Sequence, residues 1–284
     1  MLGSMLYLAI YSIALLVLIS LGLAIIFGIM KVINLAHGEF MMVGAYVCVA
    51  CVNAGAPLWV GFIAAWCAVG LLGVLVERVM IRFLYGRIVD TMLATWGLSL
   101  FLVGLVTTFM GPQARSIPSQ FGSITIGETS YSSYNFVLIG IAIAMMAATW
   151  LLARYTRAGL IVRGTMQDSQ VASALGVNRN LVYMATFGFG SAAAGLAGAA
   201  LVPITGASPT LGLFFVAKAF INVIVGGHLP LVGTMMASSI FGSIDGAVSF
   251  LWSSVAGEVA VLLIAVLILR LFPLGLTGKL KRGL

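Results

Sequence analysis

The chain has 284 residues, of which 62% are hydrophobic and only 7% are charged, and its formal net charge is +7. A soluble domain needs charges on about a quarter of its residues to cover its surface. This composition therefore excludes a soluble enzyme or a separate soluble domain. It predicts an all-α, polytopic transmembrane bundle that forms one domain over residues 1–284.

Apolar stretches long enough to cross a bilayer, about 20 residues each, recur along the chain. The first, Met1–Ala24, has no basic leader and no small-residue cleavage site, so we expect a retained span and not a signal peptide. Three stretches are harder to assign, namely 39–53, 213–227 and 231–251, because the first is short and the other two are separated by four residues. We predict eight or nine spans, with broken helices. The well-defined spans are predicted at 5–28, 57–80, 90–111, 134–153, 181–203 and 255–272.

One apolar stretch, residues 27–46, is interrupted by polar side chains at Lys31, Asn34, His37 and Glu39. Lipid satisfies neither freed backbone groups nor charges, so such a break is buried in protein or lines a water-filled path. His37 and Glu39 either pair and cap the following short helix or line the path. The candidate path residues here are Asn34, His37, Gly38, Glu39 and Gly44.

A second break follows in the other half of the chain. The segment His37–Gly44 resembles Gly226–Gly233 when shifted by 189 residues, although a chance match stays open. Corresponding breaks in two halves of a transporter indicate its translocation site. Gly226 and Gly227 are therefore further path candidates, and we expect the two breaks to approach each other.

Basic residues indicate the orientation of the spans, because short cytoplasmic loops are enriched in Lys and Arg. The connection 111–133 is poor in basic residues and rich in Ser, Gly and Pro, so we expect it outside. The C-terminus is expected in the cytoplasm. Eleven of the 14 basic residues lie in three places, at Arg78, Arg82 and Arg87, at Arg154, Arg157, Arg163 and Arg179, and at Arg270, Lys279, Lys281 and Arg282. This distribution accounts for the positive charge without a nucleic-acid partner.

The longest charged connection, about 155–180, contains Asp168, Ala172 and Gly176 at spacings of four, so they share one face of a helix. Asp168 is placed to cap the start of a short helix and Gly176 to end it. Small side chains allow the groove of another protein to approach closely. The alternative is a solvated linker helix.

The sequence contains no catalytic constellation. The two histidines, His37 and His228, are far apart, and no pair of acids or Ser/Lys set lies near them. Three cysteines, including the C-x-x-C of Cys48 and Cys51, lie in apolar runs without a second pair or a nearby histidine, so we expect helix packing and no metal. No G-x-x-x-x-G-K-[ST] phosphate loop is present.

Several motifs carry a resemblance. The D-x-x-x-A-x-x-x-G pattern of 168–176 resembles the coupling helix of ABC-importer permeases. Asn34-Leu-Ala-His-Gly-Glu-Phe followed by Gly44-Ala-Tyr is similar to the opening signature of LivH-type permeases of branched-chain amino acid importers. Two positions differ from the family pattern. Gly164 replaces a usual alanine after the arginine, and His228-Leu-Pro replaces the smaller residues that usually follow the Gly-Gly pair. Further matches are Asp90-Thr-Met-Leu-Ala-Thr-Trp-Gly-Leu-Ser-Leu, Arg163-Gly-Thr-Met-Gln-Asp, Ala194-Gly-Leu-Ala-Gly, Val225-Gly-Gly and Phe272-Pro-Leu-Gly-Leu-Thr-Gly-Lys.

The resemblance implies a permease subunit of an ATP-driven importer in the bacterial inner membrane. Its partners would be a second permease subunit of the LivM type, two ATP-binding subunits and an external solute-binding protein. ATP would be bound by those partners, and this chain would carry no cofactor. The expected ATPase contacts are Arg163, Asp168, Ala172 and Gly176. The alternatives are a urea or short-amide permease, an ion-coupled secondary transporter with Glu39 as its candidate acid, and a purely structural membrane protein.

Overall fold

The computed structural model describes residues 2–117, 122–126, 129–227 and 229–278. Within these ranges the chain is almost entirely helical. The helices are α1 (Leu2–Met30), α2 (His37–Asn53), α3 (Leu58–Val79), α4 (Ile88–Met110), α5 (Tyr134–Tyr155), α6 (Arg157–Gln167), α7 (Ser169–Ala174), α8 (Arg179–Thr205), α9 (Leu211–Gly226), α10 (Pro230–Leu251) and α11 (Ser254–Leu271).

Seven of the described helices, α1, α3, α4, α5, α8, α10 and α11, are long and apolar enough to cross a membrane. The 16-residue α9 is apolar but shorter, and α2 has 17 residues. The predicted polytopic helical fold is confirmed, and its eight or nine spans correspond to these seven helices with α9 and α2. The three stretches that were hard to assign are the ones that form α2, α9 and α10.

The polar connection after α4 forms a β-hairpin. Strands β1 (Ser123–Ile126) and β2 (Thr129–Ser132) pair antiparallel, with Ser123 opposite Ser132. Glu128, which belongs to this connection, lies outside the described residues.

The described chain forms two units, and the expected single permease domain stays a prediction. One unit comprises Met1–Ser20, Pro118–Met146 and Lys218–Leu284, and the other comprises Leu21–Ile117 and Ala147–Ala217.

The second unit is built on α2, α3 and α8, which pack against one another. Close approach depends on glycine. A Cβ at Gly44 would overlap the backbone of Gly195, and one at Gly198 would overlap the carbonyl group of Met41. Without a hydrophobic effect between helices in lipid, such backbone contacts supply the van der Waals attraction that holds a bundle together.

The first unit contains the first turns of α1 packed on α10. Here Gly242 meets the backbone of Ile13, and Gly246 meets that of Ala9. In the same unit the buried Asn222 donates hydrogen bonds to the hydroxyl oxygens of Ser20 (3.0 Å) and Ser238 (2.7 Å).

Candidate functional site

The break between α1 and α2 is present where the polar residues predicted it. Helix α1 ends at Met30, and α2 begins at His37 after six non-helical residues. Lys31 has a φ of 55°, and it is the one non-glycine residue with positive φ among those that the structure describes. A side chain in this left-handed region is strained, so the chain leaves the helix through a conformation that its surroundings must stabilise.

A threonine on α4 stabilises the break. The Leu35 amide donates to Thr95 Oγ1 (3.1 Å), and the Thr95 hydroxyl lies 2.9 Å from the Thr91 carbonyl oxygen. Within the break, Asn34 Oδ1 accepts the amide of Ala36 (3.1 Å). These bonds replace some of those that helix termini lack. Thr95 was missed in the sequence analysis, although Thr91, Thr95 and Ser99 at spacings of four form a polar stripe that could have been noticed.

The polar side chains of this break are buried. Asn34 and His37 are 0% exposed, and Glu39 is 1% exposed. Asn34 Nδ2 and Glu39 Oε2 have no hydrogen-bond partner among the described residues. Of the two alternatives for this break, burial in protein describes these side chains in the present structure, while the path roles of Asn34, His37 and Glu39 stay predictions.

The two glycines of this candidate path make helix contacts. Gly38 lies against the backbone of Gly212 at the start of α9, and Gly44 lies against Gly195 of α8. Gly44 thus supports the packing of α2. The predicted path roles of Gly38 and Gly44 stay predictions.

The second break lies between α9 and α10. Gly227 has a φ of 85°, which favours glycine, and α10 begins at Pro230. Thr277 Oγ1 donates to the Gly226 carbonyl (2.6 Å) and accepts the Leu229 amide (3.1 Å). The segment after α11 therefore holds this break, through a residue that the sequence analysis did not single out.

The two breaks fall into different units, so their expected approach to each other stays a prediction. His228, which the sequence analysis noted as a departure from the usual motif, lies outside the described residues.

The connection after α5 contains the predicted short helix. Asp168 Oδ1 accepts the amides of Gln170 (2.8 Å) and Val171 (3.1 Å) at the start of α7. At the other end Gly176 has a φ of 88°, and its amide donates to the Ser173 carbonyl (3.0 Å). The Val177 amide donates to the Ala172 carbonyl (3.1 Å), which completes a Schellman motif. The predicted cap and stop of α7 are both confirmed.

The exposed face of α7 differs from the one that small-residue spacing suggested. Ala172 is 7% exposed, and α7 contacts α6 and α8 of the same chain. The exposed apolar side chains are Val171 (56%) and Leu175 (81%), which lie four residues apart and thus on one face. Ala172 faces its own chain, so any partner that docks on α7 would meet Val171 and Leu175.

A polar contact near the end of α3 was not predicted from the sequence. The Glu77 side chain is 1% exposed, and its Oε1 accepts a hydrogen bond from the Tyr85 hydroxyl. The Tyr85 ring packs edge-on against Tyr183 of α8, with centroids 5.0 Å apart. Burial and the bond to Glu77 raise the pKa of the Tyr85 phenol. This contact joins the connection between α3 and α4 to α8.

Known proteins resemble this chain over most of its length. Residues 5–271 match the family described as branched-chain amino acid transport system / permease component. The high-affinity branched-chain amino acid transport system permease protein LivH of Salmonella typhimurium is 29% identical, over 92% of this chain and 91% of that protein. The corresponding protein BraD of Pseudomonas aeruginosa is 27% identical, over 92% and 91% of the two chains.

A solved structure has the same fold. PsaBC from Streptococcus pneumoniae in complex with Fab superposes with a TM-score of 0.52 at 14% identity, covering 97% of this chain and 93% of that chain. At this identity the likeness concerns the fold alone. The family match and the membrane-spanning helices lead to one conclusion: the chain belongs to the LivH-type permease family of branched-chain amino acid transport, as a multi-pass protein of the inner membrane.

Proposed function

We propose that this chain is the permease subunit of an ATP-driven importer of branched-chain amino acids. It forms part of the translocation path and couples to separate ATPase subunits. The substrate class follows the relatives, which are named as branched-chain amino acid permeases. A urea or short-amide permease is less well supported, since none of these relatives is named for such a solute.

The observation that carries the coupling part of the proposal is the geometry of α7. A six-residue helix is too short to be stable by itself, yet Asp168 caps it and Gly176 ends it. It presents Val171 and Leu175 outward on a chain segment that the basic residues predict to be cytoplasmic. A fixed helix with an exposed apolar pair is a typical docking element for a groove in another protein.

The proposed role of each predicted coupling residue follows from its position. Asp168 and Gly176 hold the ends of α7, while Ala172 packs it on its own chain. Arg163 is exposed on α6 and available to a partner's acidic groups. The partners we propose are two ATP-binding subunits, a second permease subunit of the LivM type and an external solute-binding protein.

The proposed orientation places the C-terminus in the cytoplasm. Arg78 lies in the last turn of α3 and Arg270 in the last turn of α11, while Arg82 follows α3. These helix ends would then face the cytoplasm, as the distribution of basic residues favours. Lys279, Lys281 and Arg282, on which this prediction also rests, lie outside the described residues.

The proposal is tested by purifying the tagged chain from its native membrane and reconstituting the complex in proteoliposomes. We expect two ATPase subunits and a second permease to co-purify, and L-leucine uptake to require ATP and the binding protein. Uptake should persist when the proton gradient is collapsed while ATP is maintained. Uptake by this chain alone, driven by an ion gradient, would overturn the proposal in favour of a secondary transporter, and uptake of urea but not leucine would overturn the substrate class.

A further inference from the structure

The break before α2 leaves a buried donor on Asn34 and a buried acceptor on Glu39 without partners among the described residues. Asn34 is 0% exposed and Glu39 is 1% exposed, and both lie at the N-terminal end of α2. Neither Asn34 Nδ2 nor Glu39 Oε2 has a hydrogen-bond partner among the described residues. Buried polar atoms in folded proteins nearly always have partners, so each such exception needs an explanation.

The other polar atom of the Asn34 side chain is already engaged. Asn34 Oδ1 accepts the Ala36 amide at 3.1 Å, which holds the backbone of the break. The Asn34 side chain is therefore held by its oxygen while its amide donor stays available.

Two helix N-termini meet at the start of α2. Gly38 in the first turn of α2 touches the backbone of Gly212 in the first turn of α9. Both helices are long enough, at 17 and 16 residues, to carry a partial positive charge at this end. Half-helix N-termini in broken transporter helices are suited to anionic groups of a substrate.

We propose that the start of α2 is a recognition site for the zwitterionic head group of a free amino acid. This inference rests on the proposed function. The ammonium group donates to Glu39 Oε2, and the carboxylate accepts from Asn34 Nδ2 beside the N-termini of α2 and α9. A neutral solute such as urea would bring no cationic group to Glu39, and a simple cation would not use the amide donor of Asn34.

The site is closed in the described conformation. The backbone contact between Gly38 and Gly212 and the near-zero exposure of Asn34 and Glu39 leave no access for solute. Binding therefore requires that the start of α9 separate from α2. The amino acid therefore binds only at the stage of the transport cycle in which these two helix ends are apart. The site is expected to contribute to the passage of the amino acid and not to ATP hydrolysis.

The first variant is Glu39→Gln, which retains the size of the side chain but removes its acidic group. In the reconstituted complex with its binding protein, we expect L-leucine uptake to fall at least tenfold. ATP hydrolysis stimulated by the loaded binding protein should stay within twofold of wild type. The matched control is Glu258→Gln, because Glu258 is an exposed carboxylate on α11 that pairs with Lys218 at 2.7 Å, and its uptake should be unchanged.

The second variant is Asn34→Asp, which keeps an oxygen for the Ala36 amide but replaces the free donor by an acceptor. Repulsion of the substrate carboxylate should again lower leucine uptake at least tenfold with ATP hydrolysis retained. This variant decides the matter if Glu39→Gln does not assemble.

The outcomes separate this inference from the proposed function. Leucine uptake by wild type together with near-normal uptake by both variants would overturn the zwitterion site and leave the proposed function intact. A parallel loss of uptake, ATP hydrolysis and thermal stability in both variants would also overturn it, since it would show that these residues only hold the fold. If the wild-type complex takes up no branched-chain amino acid, the proposed function fails and this inference fails with it.

Discussion

At the residue scale, glycine decides how closely the inner helices approach. At Gly44 the missing side chain leaves room for the backbone of Gly195, and an added Cβ would overlap that backbone and not a movable side chain. Other glycines, such as Gly104 on α4, have nothing within 4 Å of the position of a Cβ. The same residue type therefore has different importance at the two places.

We predict that Gly44→Ala destabilises the purified complex by roughly 1–3 kcal/mol, as overpacking of a closely packed contact does. Gly104→Ala, the matched control, should be neutral or slightly stabilising, because alanine favours a helix more than glycine by about 1 kcal/mol. Thermal unfolding of both variants in the same detergent measures the difference. Equal melting temperatures would contradict the role assigned to the contact between Gly44 and Gly195.

A second residue-scale prediction concerns Tyr85. In Tyr85→Phe the buried Glu77 carboxylate loses its phenol donor, which should cost about 1–3 kcal/mol of the free energy of unfolding near neutral pH. Since the pKa of Tyr85 is raised in the folded protein above its usual value of 10.0, the unfolded chain ionises first as the pH increases. The stabilising contribution of Tyr85 is thus fully present below pH 10 and declines above it.

Thermal unfolding between pH 7 and 11 tests this prediction. The wild type should lose stability above pH 10 relative to Tyr85→Phe, so the difference between them narrows. Tyr131→Phe, a change of the same type in the β-hairpin, serves as the control. A constant difference between wild type and Tyr85→Phe across this range would mean that the phenol proton does not stabilise the contact.

At the element scale, α7 shows how a very short helix is kept in place. Its start is capped by Asp168, its end is closed by Gly176 in the left-handed conformation, and Ala172 packs it against its own chain. Removal of the cap by Asp168→Ala would cost about 1 kcal/mol. A bulky residue at Ala172 would instead push the helix away from its support, so loss of transport in such a variant would not by itself identify a docking surface.

We predict that Val171→Asp and Leu175→Asp each lower the amount of co-purified ATPase subunits at least tenfold without altering the melting temperature of the permease. Both side chains are exposed, so their replacement leaves the fold intact but puts a charge into a docking contact. Gln170→Asp adds the same charge to another exposed position of α7 and is the matched control. Normal ATPase recovery with both apolar positions replaced would remove this helix from the interface.

At the scale of the whole molecule, each of the two units contains a break between helices, and the proposed transport role requires a change of conformation around such breaks. Cysteine accessibility can follow each break, but Gly227 is a poor position for it. A side chain there would be strained at a φ of 85° and would lie 2.8 Å from the Leu274 carbonyl oxygen. Leu229, on the other side of the break, has ordinary backbone angles and is half-buried.

We predict that cysteines at Ala36 and Leu229, in a background without the three native cysteines, react with small water-soluble thiol reagents to an extent that changes with nucleotide state. Ala36 is 0% exposed in the described conformation, so its reaction requires the break to open. Ala65→Cys is the control, because Ala65 is equally buried but lies within the uninterrupted α3. Inert cysteines at both breaks in a functional transporter would mean that the breaks serve packing and that the path lies elsewhere.

The sequence alone determined the membrane class, the well-defined spans, both breaks and the ends of α7. These features depend on local properties: the length of apolar runs, the cost of polar groups in lipid and the capping preferences of Asp168 and Gly176. Only the tertiary structure decided which atoms are engaged at the breaks. Thr95 and Thr277 reach them across 60 and 51 residues of sequence, and the polar stripe on α4 does not show which distant backbone groups Thr95 binds. The outward face of α7 was likewise decided by packing, because spacing places residues on a common face but does not show which face the rest of the chain covers.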